Sequence, residues 1–105
     1  MTDSVLILTT VADDQRAEVL ARTLVEERLA ACVNVHGPMV SVYQWEGAVQ
    51  RDLERQIVIK TMRWRVQAVE ARLRQLHAYE LPEFIVLPVE GGSQEYLGWI
   101  KKTVD

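Results

Sequence analysis

The chain has 105 residues, of which 49% are apolar and 26% are charged, and its formal net charge is −3. These values predict a single globular domain over residues 1–105, small enough for its stability to gain from oligomerisation. Nucleic-acid-binding domains usually carry a basic patch and a high isoelectric point, so the acidic balance argues against that class and against binding to an anionic membrane.

The N-terminal region matches neither a membrane span nor a signal peptide. No apolar run in the sequence approaches the ~20 residues that cross a bilayer. The first 14 residues are acidic and lack a cationic start and a cleavage motif. The single cysteine, Cys32, excludes an intrachain disulfide framework and favours a reducing compartment. We therefore expect a cytoplasmic protein.

The first strand and the first helix follow each other directly. Residues 4–10 form a short, continuous apolar run, which is typical of a strand buried on both faces. Asp13 or Asp14 can cap a following helix, because a carboxylate accepts the free N–H groups of the first turn. The helix is predicted to end near Arg28. Its apolar stripe consists of Ala17, Leu20, Ala21, Leu24 and Val25.

A long β-hairpin occupies the middle of the chain. Its first arm starts near Ala31, and we expect a break at residues 36–38, where glycine and proline disturb strand pairing. The arm resumes over residues 40–45, turns at residues 46–47 and returns over 49–61. A ten-residue arm spans about 33 Å, which exceeds the ~26 Å diameter expected for a hundred-residue domain. We therefore expect the hairpin to reach other copies of the chain.

The remaining elements complete a recognisable order. Residues 62–76 have the periodicity of an amphipathic helix, residues 84–89 form a buried strand, and Ser93 can cap a short third helix. The order β-α-β-β-α-β with a C-terminal helix predicts an α+β fold of the ferredoxin-like, split βαβ type. Two helices then lie on one face of a four-stranded sheet and leave the other face open.

Strand alternation assigns side chains of the hairpin to these two faces. We expect an apolar set beneath the helices, made of Ala31, Val33, Val35, Leu53, Ile57 and Ile59. The open face then carries a mixed polar set, made of Cys32, Asn34, His36, Glu54, Gln56, Val58 and Lys60. Buried polar groups must be satisfied, so this set indicates either a hydrogen-bonded interface or a polar pocket.

Metal ligands are sparse in the sequence. Cys32 and His36 lie about 13 Å apart along one strand, too far to bind the same ion unless the strand folds back. Cys32 also suits a small buried hydrophobic position. His77 either caps the second helix or binds a ligand. Glu83 is solvated, points into a cleft or caps a neighbouring backbone. With so few ligands, one chain cannot supply a closed tetrahedral site of nitrogen and sulfur, whereas a site shared between subunits stays open.

Catalytic motifs are absent. Residues 91–95 fail the G-x-S-x-G pattern at its last position, and the phosphate-binding and dinucleotide-binding glycine motifs do not occur. Several aromatic residues fit either a pocket or ordinary packing: Tyr43, Trp45, Trp64, Tyr96 and Trp99.

Five motifs occur in order along nearly the whole chain. They are LAACVNV at 29–35, SVYQWEG at 41–47, D-x-E at 52–54 followed by IVIKT at 57–61, H-x-Y-x-x-P-E at 77–83, and Y-L-x-W at 96–99. In these motifs and their spacing the chain resembles the CutA family, the divalent-cation-tolerance proteins.

The resemblance implies a cytoplasmic homotrimer, similar to the PII signalling proteins, in which sheet edges pair between subunits. It implies a role in tolerance of copper and other divalent cations, with a metal ion or a small-molecule effector bound in clefts between subunits, and no enzymatic reaction. The candidate metal ligands are Cys32, His77 and Glu83. The wider cleft candidates are Tyr43, Trp45, Glu54, Lys60, Tyr79, Tyr96 and Trp99.

Two departures from the family pattern bear on the site. Ala78 stands where the family often has proline, and Cys32 is the only cysteine, which disfavours a thiolate-rich Cu(I) site. Two alternatives stay open. One is an enzyme acting on a phosphate or acyl compound through Lys60 and His77, and the other is a purely structural trimer that scaffolds partners.

Overall fold

A computed structural model describes residues 2–105. The element order confirms the predicted ferredoxin-like arrangement, with a short 3₁₀ turn at Arg63–Arg65 before the second helix. The strands are β1 (Ser4–Ala12), β2 (Cys32–Trp45), β3 (Ala48–Met62) and β4 (Ile85–Pro88). The helices are α1 (Arg16–Glu26), α2 (Val66–Leu76) and α3 (Gln94–Val104).

The four strands form one antiparallel sheet in the order β2-β3-β1-β4. β1 and β3 are central and pair from Ser4–Met62 to Ala12–Glu54. β2 and β4 are the two edges, so each has one side without a strand partner within residues 2–105. Unpaired edges are sites where another chain can add to the sheet.

The main core lies between the sheet and the first two helices. Alternate residues of the central strands point into it, and Val5, Ile7, Ile57 and Ile59 are completely buried. Leu24 of α1 and Leu73 of α2 close the core from the other side. The buried residues of α1 confirm its predicted apolar stripe, except that Val25 is 39% exposed.

Element ends differ slightly from those predicted. α1 begins at Arg16 with Gln15 at the N-cap, although the Asp14 carboxylate accepts the Arg16 N–H at 2.9 Å. It ends at Glu26, before Arg28, whose φ of 61° is left-handed and ends the helix. α2 starts later than predicted because β3 continues to Met62 and a 3₁₀ turn follows.

The hairpin breaks and turns where predicted. The pairing shifts between His36 and Met39, so the pair 37–38 forms a β-bulge, and Gly37 has a φ of +121° that favours glycine. The turn at 46–47 has positive φ at both central residues, Glu46 and Gly47, the geometry that joins twisted strands in a two-residue loop.

The hairpin is also as long as predicted. The molecule measures 44 × 26 × 23 Å, and the 14 residues of β2 would span at most about 43 Å if fully extended, close to the longest dimension. Apolar side chains on its distal part are left exposed, among them Val40 at 51%, Val42 at 67% and Val49 at 68%. These positions have no cover within residues 2–105.

α3 covers one end of the otherwise open face. Ser93 caps it as predicted, accepting the Tyr96 N–H at 3.0 Å. A second small core forms beneath this helix from Ala31, Met62, Ile100 and Val104. No helix among residues 2–105 has the length and apolar character needed to cross a membrane.

The predicted division of the hairpin between two faces is partly wrong. Ala31 packs beneath α3 instead of beneath the first two helices, because it precedes the strand and falls outside its alternation. Leu53 is 54% exposed because it lies where the hairpin extends beyond α1 and α2. Val35 is 36% exposed on the edge strand β2, beside the start of α1. Val33, Ile57 and Ile59 lie in or against the main core, as predicted.

Candidate functional site

The largest cleft lies on the open face, at the end of the sheet away from α3, and has a volume of about 660 Å³. One wall is the distal part of β2, formed by Met39, Ser41, Tyr43 and Trp45. The base is formed by Thr10, Glu54 and Gln56. The other wall is the segment that leads into β4, formed by Tyr79, Leu81, Pro82, Glu83, Phe84 and Ile85.

The bulge and the strand order together bring these residues to one place. His36 pairs with Gln56 and Met39 pairs with Glu54, so β2 advances one residue more than β3 across the bulge. That extra residue moves the odd-numbered side chains of distal β2, Tyr43 among them, to the open face. On the far side, Leu8 of β1 pairs with Ile85 and holds the segment before β4 beside the central strands.

Glu54 and Tyr79 form the central polar contact of the cleft. The Tyr79 hydroxyl donates to Glu54 Oε2 at 2.6 Å, and Glu54 is only 6% exposed. Burial, and then the hydrogen bond to Glu54, raises the pKa of Tyr79 well above its ordinary value. The phenol therefore keeps its proton at neutral pH and acts as a hydrogen-bond donor.

Tyr43 and Asp52 form a second contact of the same kind. The Tyr43 hydroxyl donates to Asp52 Oδ2, and the two residues lie on neighbouring strands near the tip of the hairpin. The hydrogen bond to Asp52 raises the pKa of Tyr43, with smaller contributions from burial and from the charges of Asp52 and Glu54. Asp52 was not among the predicted site residues, although its alternation with Glu54 and Gln56 along β3 is a readable signal.

Glu83 is held in the cleft by Gln56. The Gln56 Nε2 donates to Glu83 Oε2 at 3.1 Å and to the Thr9 carbonyl at 2.8 Å. The amide is thus fixed by the backbone of β1 and orients the carboxylate in turn. Of the three interpretations that the sequence left open for Glu83, the structure agrees with the one in which it points into a cleft.

His77 is engaged by backbone groups on both ring nitrogens. Nε2 lies 2.6 Å from the Thr10 carbonyl, and Nδ1 accepts the Tyr79 N–H at 3.1 Å. This pattern fits a neutral imidazole with its proton on Nε2. The ring also packs against Tyr79, with centroids 4.6 Å apart. His77 therefore positions Tyr79 within one subunit and has no ring nitrogen free for a metal ion.

The three candidate metal ligands do not form one site within a subunit. Cys32 pairs with Lys60 on β3, whereas Glu83 is bound by Gln56 of the same strand. Lys60 and Gln56 are four residues apart, so about 13 Å of strand separates Cys32 from Glu83. No group of three or more His, Cys, Asp or Glu residues within residues 2–105 is placed to hold a metal ion. A metal site that includes Cys32 would need ligands from more than one subunit.

The seven wider candidates fall into two groups. Tyr43, Trp45, Glu54 and Tyr79 line the cleft. Lys60, Tyr96 and Trp99 instead lie at the α3 end of the open face. There the Lys60 Nζ lies 5.8 Å from the Tyr96 ring centroid, and the Tyr96 and Trp99 rings are 5.4 Å apart. This division could not be predicted, because the sequence does not specify where α3 lies along the sheet.

Comparison with known proteins gives consistent matches. The family model described as CutA1 divalent ion tolerance protein matches residues 5–103. The divalent-cation tolerance protein CutA of Pectobacterium atrosepticum is 43% identical, with 97% of this chain and 93% of that protein covered. The chloroplastic protein CutA of Arabidopsis thaliana is 40% identical over 95% of this chain, which spans about half (55%) of that relative's length.

Solved structures agree with these sequence matches. The crystal structure of CutA from Xylella fastidiosa has a TM-score of 0.96 and 44% identity, covering 99% of this chain and all of that one (100%). A structure from Archaeoglobus fulgidus, described as a periplasmic divalent cation tolerance protein CutA, has a TM-score of 0.93 and 33% identity, covering 97% of this chain and 99% of that one.

Proposed function

The chain belongs to the CutA1 divalent ion tolerance protein family, and from that premise we propose that it forms a homotrimer with ligand-binding clefts between subunits. The ligand is a divalent metal ion, with copper the first candidate, or a small molecule. One observation carries the proposal: the cleft of about 660 Å³ is lined by the distal part of a hairpin that extends beyond the rest of the domain.

Two features of the hairpin support assembly. Its distal apolar residues are more than half exposed, as in Val40, Val42 and Val49. Complete burial of a fully exposed side chain of this kind gains about 1.5–3 kcal/mol, so each of these partly buried valines gains roughly half to two thirds of that. β2 and β4 also offer free edges, which pair with other strands when copies associate. A strand of another subunit that paired with the free edge of β2 would extend the sheet beside the cleft.

A metal ion would have to be shared between subunits. Within one subunit the ring nitrogens of His77 are both engaged, and Glu83 lies far from Cys32. Cys32 remains the strongest single candidate, because a partly exposed free thiol on an edge strand is a good ligand for copper and zinc. Glu83 is the candidate for a ligand from the cleft.

Copper and zinc titration of the purified assembly tests this proposal, with binding followed by calorimetry and by equilibrium dialysis. We expect Cys32→Ala to lower the affinity or the number of ions bound per subunit. His36→Ala is the matched control, because His36 is an exposed histidine on the same strand. Glu83→Gln tests the cleft separately. Unchanged binding in both Cys32→Ala and Glu83→Gln would remove these residues as ligands.

We propose binding and no catalysis for this cleft. The enzymatic alternative relied on Lys60 and His77, but Lys60 pairs with Leu6 on β1 whereas His77 contacts Thr10. Leu6 and Thr10 are four residues apart on β1, which is about 13 Å along the strand. The side chains of Lys60 and His77 therefore do not share a site within one subunit. Screening the assembly against phosphoesters and acyl esters tests the proposal, and turnover lost in His77→Asn would contradict it.

We also propose a reducing compartment such as the cytoplasm, on the basis of the single free cysteine. Cell fractionation of the natural host with a compartment marker tests this directly. Recovery of the protein in a periplasmic or other oxidising fraction would contradict it.

A further inference from the structure

We propose that the cleft between distal β2 and residues 79–85 binds an organic cation that carries an ammonium group. The inference rests on the proposed function, because it names the class of small ligand that the cleft would take. It follows from three properties of the cleft that point the same way: its uncompensated negative charge, its aromatic walls and the spacing of its carboxylates.

The charge of the cleft has no counterpart within the described chain. Glu54 and Glu83 line the cleft, and Asp52 is bonded to Tyr43 on its wall. None of these carboxylates forms an ion pair within residues 2–105, since the six ion pairs there involve other acidic residues. No lysine or arginine lines the cleft. Its electrostatic potential therefore favours a cation.

Glu54 is the most demanding of these groups. Glu54 is only 6% exposed. Its side chain makes a single hydrogen bond within residues 2–105, in which Oε2 accepts from the Tyr79 hydroxyl. Its Oε1 accepts no hydrogen bond within residues 2–105 and yet is not a fully enclosed atom, so it opens toward the cleft. A buried carboxylate without a counter-ion is costly. A ligand cation placed at Oε1 would remove that cost.

The walls suit an organic cation. Tyr43, Trp45, Tyr79 and Phe84 all line the cleft, and Trp45 and Tyr43 remain 37% and 42% exposed. Aromatic faces attract ammonium groups through the ring quadrupole, and most strongly when the site is shielded from water. The volume of about 660 Å³ lies within the range of small-molecule sites.

The spacing of the carboxylates distinguishes an organic cation from a bare metal ion. No three acidic or histidine side chains within residues 2–105 converge on one point. Hard divalent cations need several oxygen ligands at about 2.0–2.6 Å, and aromatic rings do not supply them. A protonated alkylamine instead donates separate hydrogen bonds to carboxylates. A quaternary ammonium, which has no N–H, is attracted by the carboxylate charge and by the aromatic faces.

The test is calorimetric titration of the purified full chain with tetramethylammonium chloride and with 1,4-diaminobutane, against sodium chloride at equal ionic strength. We expect saturable binding of at least one of the two cations. Glu54→Gln should weaken it about tenfold, because a charge-assisted contact is lost while the shape is kept. Glu26→Gln is the matched control, since Glu26 is an exposed carboxylate on α1, and it should bind as the wild type does.

Trp45→Leu provides a second variant in case Glu54→Gln fails to fold. Trp45 is a partly exposed residue on the wall of the cleft, so its loss should weaken binding without unfolding the domain. Circular dichroism and sedimentation of each variant check the fold and the assembly. Binding that is equal in the wild type, Glu54→Gln and Trp45→Leu would overturn the inference.

Copper titration of the same preparation separates the two proposals. Copper binding by a trimer that takes up neither ammonium probe would overturn this inference and leave the proposed function standing. Failure to bind copper and both probes would overturn both. A change of sedimentation in Glu54→Gln, with no probe bound by the wild type, would show that Glu54 acts in assembly and would overturn this inference.

Discussion

The two faces of the sheet are built from alternate residues of the same strands, yet they differ in how complete they are within one subunit. On the covered face, Ile57 and Ile59 of β3 are fully buried beneath helices. On the open face, Glu54 and Gln56 of the same strand border a wide cleft. The covered face is a finished core where the helices lie on it, whereas the open face and the distal hairpin need further cover.

The difference follows from what each face buries. Beneath α1 and α2 the covered face removes apolar side chains from water. Beyond these helices the same face carries Val40, Val42 and Val49 of the distal hairpin, which stay exposed.

The open face holds carboxylates and tyrosines that bond to each other, as Glu54 does to Tyr79. Apolar residues beside the cleft, such as Leu81 and Ile85, stay exposed. Truncations in the core beneath the helices should therefore cost the most stability, whereas substitutions in the cleft or on the distal hairpin should cost less stability and should also affect binding or assembly.

The largest effect is expected from Ile57→Ala. Ile57 is fully buried in the main core, so its truncation leaves a cavity and should lower the free energy of unfolding by about 2–5 kcal/mol. Urea denaturation at fixed protein concentration measures this change. Val19→Ala is the control, because Val19 is 57% exposed on α1 and should change stability by less than about 0.5 kcal/mol. Equal effects of the two substitutions would contradict the assignment of the core.

Tyr79→Phe should have the next largest effect and should depend on pH. Its hydroxyl donates to a buried carboxylate, so its removal should cost about 1.5–3 kcal/mol near neutral pH. Burial, then the Glu54 hydrogen bond, raises the pKa of Tyr79, so the folded state holds this proton more tightly than the unfolded chain. That stability is complete below the unfolded pKa of about 10 and is lost as the pH rises above it.

Denaturation at a series of pH values checks this prediction. The stability of the wild type should fall more steeply above pH ~10 than that of Tyr79→Phe. Tyr96→Phe is the matched control, because the Tyr96 hydroxyl forms no hydrogen bond within residues 2–105 and lies at the α3 end of the open face. Identical alkaline slopes in the wild type and Tyr79→Phe would contradict the contact.

Gly37→Ala should distort the bulge that sets the face of distal β2. The added Cβ would meet the Glu54 carbonyl oxygen at 3.1 Å and the Arg55 Cα at 3.2 Å, and the φ of +121° disfavours any side chain. We expect a loss of about 1–3 kcal/mol, measured by urea denaturation. Gly91→Ala is the control, because no atom lies within 4 Å of its added Cβ. A neutral Gly37→Ala would show that the bulge tolerates another backbone geometry.

Ser93→Ala should have the smallest effect. Ser93 caps α3, and loss of this hydrogen bond should cost about 1 kcal/mol. Ser93→Asp retains a capping oxygen and should restore most of that loss. Thermal unfolding followed by circular dichroism measures both variants. If Ser93→Ala were as damaging as Ile57→Ala, α3 would belong to the main core instead of being a cover on the open face.

The sequence predicted the features that depend on local chemistry. The break at Gly37 and the turn at residues 46–47 follow from glycine, proline and turn preferences, and both were confirmed. The cap at Ser93 is likewise a local hydrogen bond and was confirmed. Such signals need no knowledge of how distant parts of the chain pack.

The assembly of the cleft was harder to predict because it depends on long-range register. Contact between Glu54 and Tyr79 requires the strand order that brings residues 79–85 beside β1 and β3. The division of the cleft candidates into two groups depends on where α3 lies, which its own sequence does not specify. Even so, Glu54 and Tyr79 were both among the predicted cleft residues, and the structure brings them into contact.

The central claim is that one subunit is incomplete and that the hairpin is buried by other copies of the chain. Sedimentation equilibrium over a wide range of protein concentrations tests it most directly. We predict a folded species of about three times the 12.0 kDa chain mass that persists on dilution. A stable, fully folded species of 12.0 kDa would contradict the claim.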